Sequence, residues 1–251
     1  MATLRTLSLV LLGTAAAAAA TVDIAGARSC HGAPAVKGRV VLEGEKPETK
    51  PLVIEADKAK GCTHEGESVD TTDRSLIVGK DGGIANVVVM VSVPSAKLEV
   101  PEKPIELDQK SCRFDPHVTV IPTGATVAFL NSDSISHNVH TYPRKNEAFN
   151  KIIPAGSKEM QKFDKEDQVE IKCDIHPWMN SWIVVSNAPF TAVTDENGAF
   201  SFENLPAGEH KVDTWHEKLG KGKGTISVKE DGTAEAVELK LGGQKKAGRR
   251  G

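Results

Sequence analysis

Cys173, His176 and Met179 fall within one seven-residue stretch, Cys173-Asp174-Ile175-His176-Pro177-Trp178-Met179. Asp167 to Cys173 alternates before it, with Val169, Ile171 and Cys173 on one face; Trp182-Ile183-Val184-Val185, apolar and β-branched, follows. A period of two reads as strands, so one short loop between two strands carries a thiol, an imidazole and a thioether. The alternation turns Cys173 inward, away from water. A second imidazole, His137, lies in Asn131-Ser132-Asp133-Ser134-Ile135-Ser136-His137-Asn138-Val139, just after the apolar run Thr126-Val127-Ala128-Phe129-Leu130. A chain that uses all four side chains together must bring two remote strand ends to one place, which a β-sandwich does.

The rest of the chain also reads as β. Short Val- and Ile-rich runs are punctuated by 22 Gly and 13 Pro, and no long window outside the N-terminus has a helical period. Ala85 to Val93 is a continuous apolar run, expected as a fully buried strand, and residues 94–104 carry three prolines, expected as a linker or a change of sheet. Arg74 to Val78 reads as a further strand; Thr225–Val228 and Ala236–Leu241 flank Lys229-Glu230-Asp231-Gly232 as a hairpin. A net charge of -3 argues against a nucleic-acid binder, which carries a basic face. Met1 to Ala27 is expected to be a signal peptide: Arg5, an apolar run from Leu7 to Ala20, and Ala25-Gly26-Ala27 as a cleavage site. No membrane span is expected once it is removed. The expected location is therefore periplasmic or secreted, in an oxidising compartment.

Two imidazoles, one thiolate and a weak axial thioether are the ligand set of a type 1 (blue) copper site. The soft donors suit copper(I), and the imidazoles suit copper(II). The expected metal ligands are thus His137, Cys173, His176 and Met179, holding one copper ion. Pro177 restricts the loop and removes an amide donor; Asn138 is placed to brace the ligand loop by a hydrogen bond. Zinc is the competing metal, but Met is a poor zinc ligand. A binuclear copper centre would need a second Cys in the loop. Core packing of unrelated Cys, Met and His side chains is the bland alternative.

Residues 105–187 resemble a cupredoxin of the plastocyanin/amicyanin kind. The likeness rests on Asn131-x-Asp133…His137-Asn138-Val139, on Cys173-x2-His176-Pro177-x-Met179, and on Phe114-x-Pro116…Val120…Gly124-x-Thr126-Val127-x-Phe129. It implies a Greek-key sandwich with copper on the same four residues, and an exposed edge of His176, ringed by Pro177, Trp178 and Trp182, that passes the electron. Thr194-Asp195-Glu196-Asn197-Gly198-x-Phe200-x-Phe202-x2-Leu205-Pro206-Ala207-Gly208 resembles the carboxypeptidase regulatory-like, or transthyretin-like, β-sandwich. That domain's usual opening is absent before residue 190 but is matched by Gly38-Arg39-Val40 and Ala85 to Val93. Two arrangements are open: a sandwich built from 38–100 and 188–241 and split around the cupredoxin, or separate units in series. Residues 242–251 are expected to be a disordered tail.

With Cys173 assigned to copper, Cys30, Cys62 and Cys112 remain, so at most one bridge forms within the chain. Cys62 with Cys112 is preferred, and Cys30 with either stays open; Cys112 and His117 as a metal pair is a lesser alternative. His140 falls on the opposite strand face from His137 and is read as a surface residue or a partner contact. His210, Trp215 and His216 are read as a hairpin surface. The whole describes an exported all-β electron carrier rather than an enzyme, with partners such as a c-type cytochrome or a dehydrogenase. The alternatives are a copper carrier or structural module, and the electron-feeding part of a multicopper reductase or oxidase; for the latter the remaining histidines are too scattered.

Overall fold

A computed structural model describes residues 35–63 and 68–242. The expected signal segment, Cys30 and residues 243–251 lie outside the described residues, while Gly242, expected in the tail, ends a strand. The described chain is all-β, with sixteen strands, no helix, and hence no helix able to cross a membrane.

One sandwich pairs a five-stranded with a four-stranded sheet. The first runs β5 (Val118–Pro122), β11 (Asn180–Ser186), β10 (Asp167–Lys172), β7 (His137–Tyr142), β8 (Asn150–Ile153). The second runs β4 (Arg113–Asp115), β3 (Ile105–Lys110), β6 (Ala125–Leu130), β9 (Lys158–Phe163). Alternate residues from both sheets, among them Leu107, Phe114, Val127, Phe129, Val139, Val169, Ile171 and Ile183, close one core around Cys173 and Met179.

The other sandwich is assembled from both sides of that segment. β1 (Val36–Glu43) lies between β13 (Ala199–Phe202) and β16 (Val237–Gly242). β2 (Val88–Val91) lies between β12 (Phe190–Val193) and β14 (Gly208–His216), which pairs with β15 (Gly220–Val228). In strand order, residues 105–187 thus leave this sandwich after β2 and return to it at β12.

Two expectations need correction. Arg74 to Val78 makes only an isolated bridge, Val78 with Ile84, because it meets no long partner strand. β15 and β16 form no hairpin: the turn at Lys229–Gly232 exists, but β16 crosses to the opposite sheet and pairs in parallel with β1. Leu239 and Leu241 are the reason, since they belong in the core between the sheets and face Gly224 and Gly222 of β15 across it.

Candidate metal centre

Local strand geometry delivers the candidate ligands. β10 and β11 are antiparallel, with Lys172 opposite Asn180, so residues 173–179 form the loop that joins them. The Cys173 amide donates to the Met179 carbonyl at 3.2 Å and the Met179 amide to the His176 carbonyl at 2.9 Å, which closes the loop on itself. β7 is the next strand in the sheet, with His140 opposite Lys172, and His137 begins it. The two stretches separated in sequence are therefore neighbours at one end of one sheet.

There the side chains converge. His137 Nδ1 lies 2.9 Å from His176 Nδ1, and Cys173 Sγ lies 3.8 Å from His176 Nδ1. Donor atoms of all three lie within 4.8 Å of one another, and all three residues are buried. Met179 is fully buried in the same core. Cys173 is the one free cysteine among the described residues. Burial opposes its thiolate, yet hydrogen bonds from His137 and His176 and from backbone amides outweigh that and bring its pKa down to about 6.

Asp133 sets the orientation of His137. Its carboxylate lies 2.7 Å from His137 Nε2 and also accepts the amides of Ser111 at 2.6 Å and Cys112 at 2.8 Å. In the neutral ring, a carboxylate on Nε2 keeps the one proton there and leaves the Nδ1 lone pair to face His176 and Cys173. Burial disfavours a charge on His137, but the hydrogen bonds and negative charge of Asp133 and Cys173 raise its pKa above the ordinary value. Asn131 holds the loop in place: its Nδ2 donates to the carbonyls of Ile135 and Ile153, and its Oδ1 accepts the Asp133 amide. Asp133 was part of a motif visible in the sequence, but nothing local showed that the Ser111–Cys112 turn would sit on it.

Asn138 accepts the Asp174 amide at 2.7 Å and donates to its carboxylate at 2.9 Å, tying β7 to the ligand loop. Pro177 is exposed on that loop. Cys62 and Cys112 form a disulfide. Cys112 is therefore no partner for His117, which is buried against Glu217 instead.

The expected exposed edge of His176 is absent. His176 is 4 % exposed and Trp178 8 %. A ring nitrogen of His176 lies within 4.8 Å of both disulfide sulfurs, and the Trp178 indole packs edge-on to His176 while its Nε1 donates to the Cys112 carbonyl. Trp182 points elsewhere. Successive strand residues face opposite ways, so with Ile183 in the core around Cys173 Trp182 lies on the outer face, against Trp215 of the other sandwich at a ring distance of 5.2 Å. Trp215 and His216, expected on a hairpin surface, are buried there.

No protein-family model and no curated protein matches the chain. The likenesses are to solved structures. A copper-containing nitrite reductase from Thermus scotoductus SA-01 is 28% identical over 39% of this chain and 25% of its own, with a TM-score of 0.33. A purple cupredoxin from Nitrosopumilus maritimus is 23% identical over 33% of this chain and 99% of its own, with a TM-score of 0.29. A mutant amicyanin in its Cu(I) form is 18% identical over 39% of this chain and 98% of its own, with a TM-score of 0.32. The matched part is thus about a quarter of the reductase and nearly the whole of the two smaller proteins.

Proposed function

We propose that this chain is an exported cupredoxin-type electron carrier that holds one type 1 copper ion on His137, Cys173 and His176, with Met179 as the weak axial donor. The observation that carries the reading is the meeting of two Nδ1 atoms and a buried thiol, with the Asp133 carboxylate 2.7 Å from the far nitrogen of His137. A structural zinc site favours several Cys and His ligands, whereas the fourth candidate donor, Met179, is a thioether buried in the same core.

The donor set fits copper in both valence states. Bound there, copper would supply one-electron chemistry. The residues do the rest: Asp133 and Asn138 hold the donors in place, the core excludes water, and the closed 173–179 loop resists rearrangement. The buried Cys62–Cys112 disulfide agrees with an exported, oxidising location, periplasmic or secreted. The partners would be redox proteins such as a c-type cytochrome or a dehydrogenase. The second sandwich, of the carboxypeptidase regulatory-like kind, would be a packing module without chemistry of its own.

Loading the metal-free protein with copper(II) tests the reading. One equivalent should bind with an intense visible thiolate-to-copper band, and Cys173→Ser should lose the band while the fold, followed by circular dichroism, is kept. Two or more equivalents, or a band that survives the substitution, would refute the assignment.

A further inference from the structure

The metal centre is closed on the side where an imidazole edge was expected. Cys62 is 1 % exposed and Cys112 0 %, and their disulfide covers His176. The segment that carries Cys62 is held at its two ends, and the bond pins its middle over His176. Arg113 donates to the carbonyls of Asp70 and Thr72, and Leu52, Ile54 and Val69 pack on the core beneath.

Another flank is open. Asp174, covalently next to Cys173, turns outward and sits 3.1 Å from His140 Nδ1. The Tyr142 hydroxyl lies 2.9 Å from the same nitrogen, and the two rings stack at 4.2 Å. Tyr142 is 42 % exposed and Ile175 44 %. A covalent step, a hydrogen bond and a ring stack therefore run without a gap from Cys173 to the surface. Electron tunnelling decays more steeply across empty space than along bonds and hydrogen bonds, so this is the favoured path once the His176 side is covered.

We propose that electrons pass between Cys173 and the surface through Asp174 and the stacked His140–Tyr142 pair, the His176 side being closed by the Cys62–Cys112 disulfide. The proposal rests on the copper reading. In one transfer an external donor loses one electron and the site gains it; no bond or proton changes hands. With hexaammineruthenium(II) as the probe, ruthenium(II) becomes ruthenium(III) as copper(II) becomes copper(I).

Two measurements decide it. The metal-free protein is treated with diethyl pyrocarbonate and the modified histidines are located by mass spectrometry. His140 should react and His176 should not, and the paired change Cys62→Ser, Cys112→Ser should expose His176 to the reagent. If that pair misfolds, the contrast in the native protein decides alone: His176 reacting as fast as His140 would overturn the closure. In the copper-loaded protein, Tyr142→Leu should keep the visible band and slow electron uptake from hexaammineruthenium(II) severalfold; an unchanged rate would overturn the path. A native protein that binds copper without the blue band refutes the copper reading instead, and leaves the labelling result standing.

Discussion

Asp133 joins two parts of the site. One carboxylate orients His137 and also stitches the Ser111–Cys112 turn, whose residues sit at φ 51 and 50, the left-handed pair of a tight hairpin. Beside a copper ligand, its negative charge would favour copper(II) over copper(I). Asp133→Asn should therefore raise the reduction potential with the visible band retained, as read by redox titration. Met179→Leu should raise it too, because loss of the axial donor destabilises copper(II) more than copper(I); an unchanged potential would mean that Met179 is not axial. Cys173, His176 and Met179 were legible because they share one loop. Asp133 was not, because its role depends on a turn formed elsewhere.

Among the elements, β2 and β11 show why some strands read as continuous apolar runs. Val89 and Val91 of β2 face the core of one sandwich while Val88 and Met90 face the neighbouring sandwich. On β11, Ile183 and Val185 face the core around Cys173 while Trp182 and Val184 face outward to the same interface. With both faces covered, alternation disappears from the sequence. β15 shows the opposite case. Its Gly220-Lys221-Gly222-Lys223-Gly224 run has no apolar inner face because Leu239 and Leu241 fill the space that side chains would take. A Cβ at Gly224 would overlap Leu239, so Gly224→Val should cost about 1–3 kcal/mol of stability by overpacking, read by urea denaturation. The sequence suggested a hairpin here because a turn signal is local, whereas the partner a strand takes after a turn is set by where its side chains find a core.

The two sandwiches meet over Val88, Val118, Val184 and Trp215, with His117 paired to Glu217 and His216 buried beside them. Burial pushes the His216 pKa down to about 4, and its Nδ1 accepts the amides of Lys218 and Leu219. The unfolded chain takes up that proton first, near pH 6.5. The stabilisation is therefore complete above about pH 6.5 and is lost as pH falls towards 4, by up to about 3 kcal/mol for this group. His216→Asn, which keeps an acceptor for the two amides, should remove that slope from denaturation measured across pH 4 to 6.5; a slope that persists would place its source elsewhere. By itself the sequence determined the all-β class, the four candidate donors and the inward-facing thiol, because donor identity and a period of two are local properties. Only the tertiary structure decided that β16 joins β1, that Trp182 is lost to an interface, and that His176 lies under a disulfide while Tyr142 stays in solvent. Burial and pairing are decided by segments that arrive from distant parts of the chain, and no local pattern encodes which neighbour arrives.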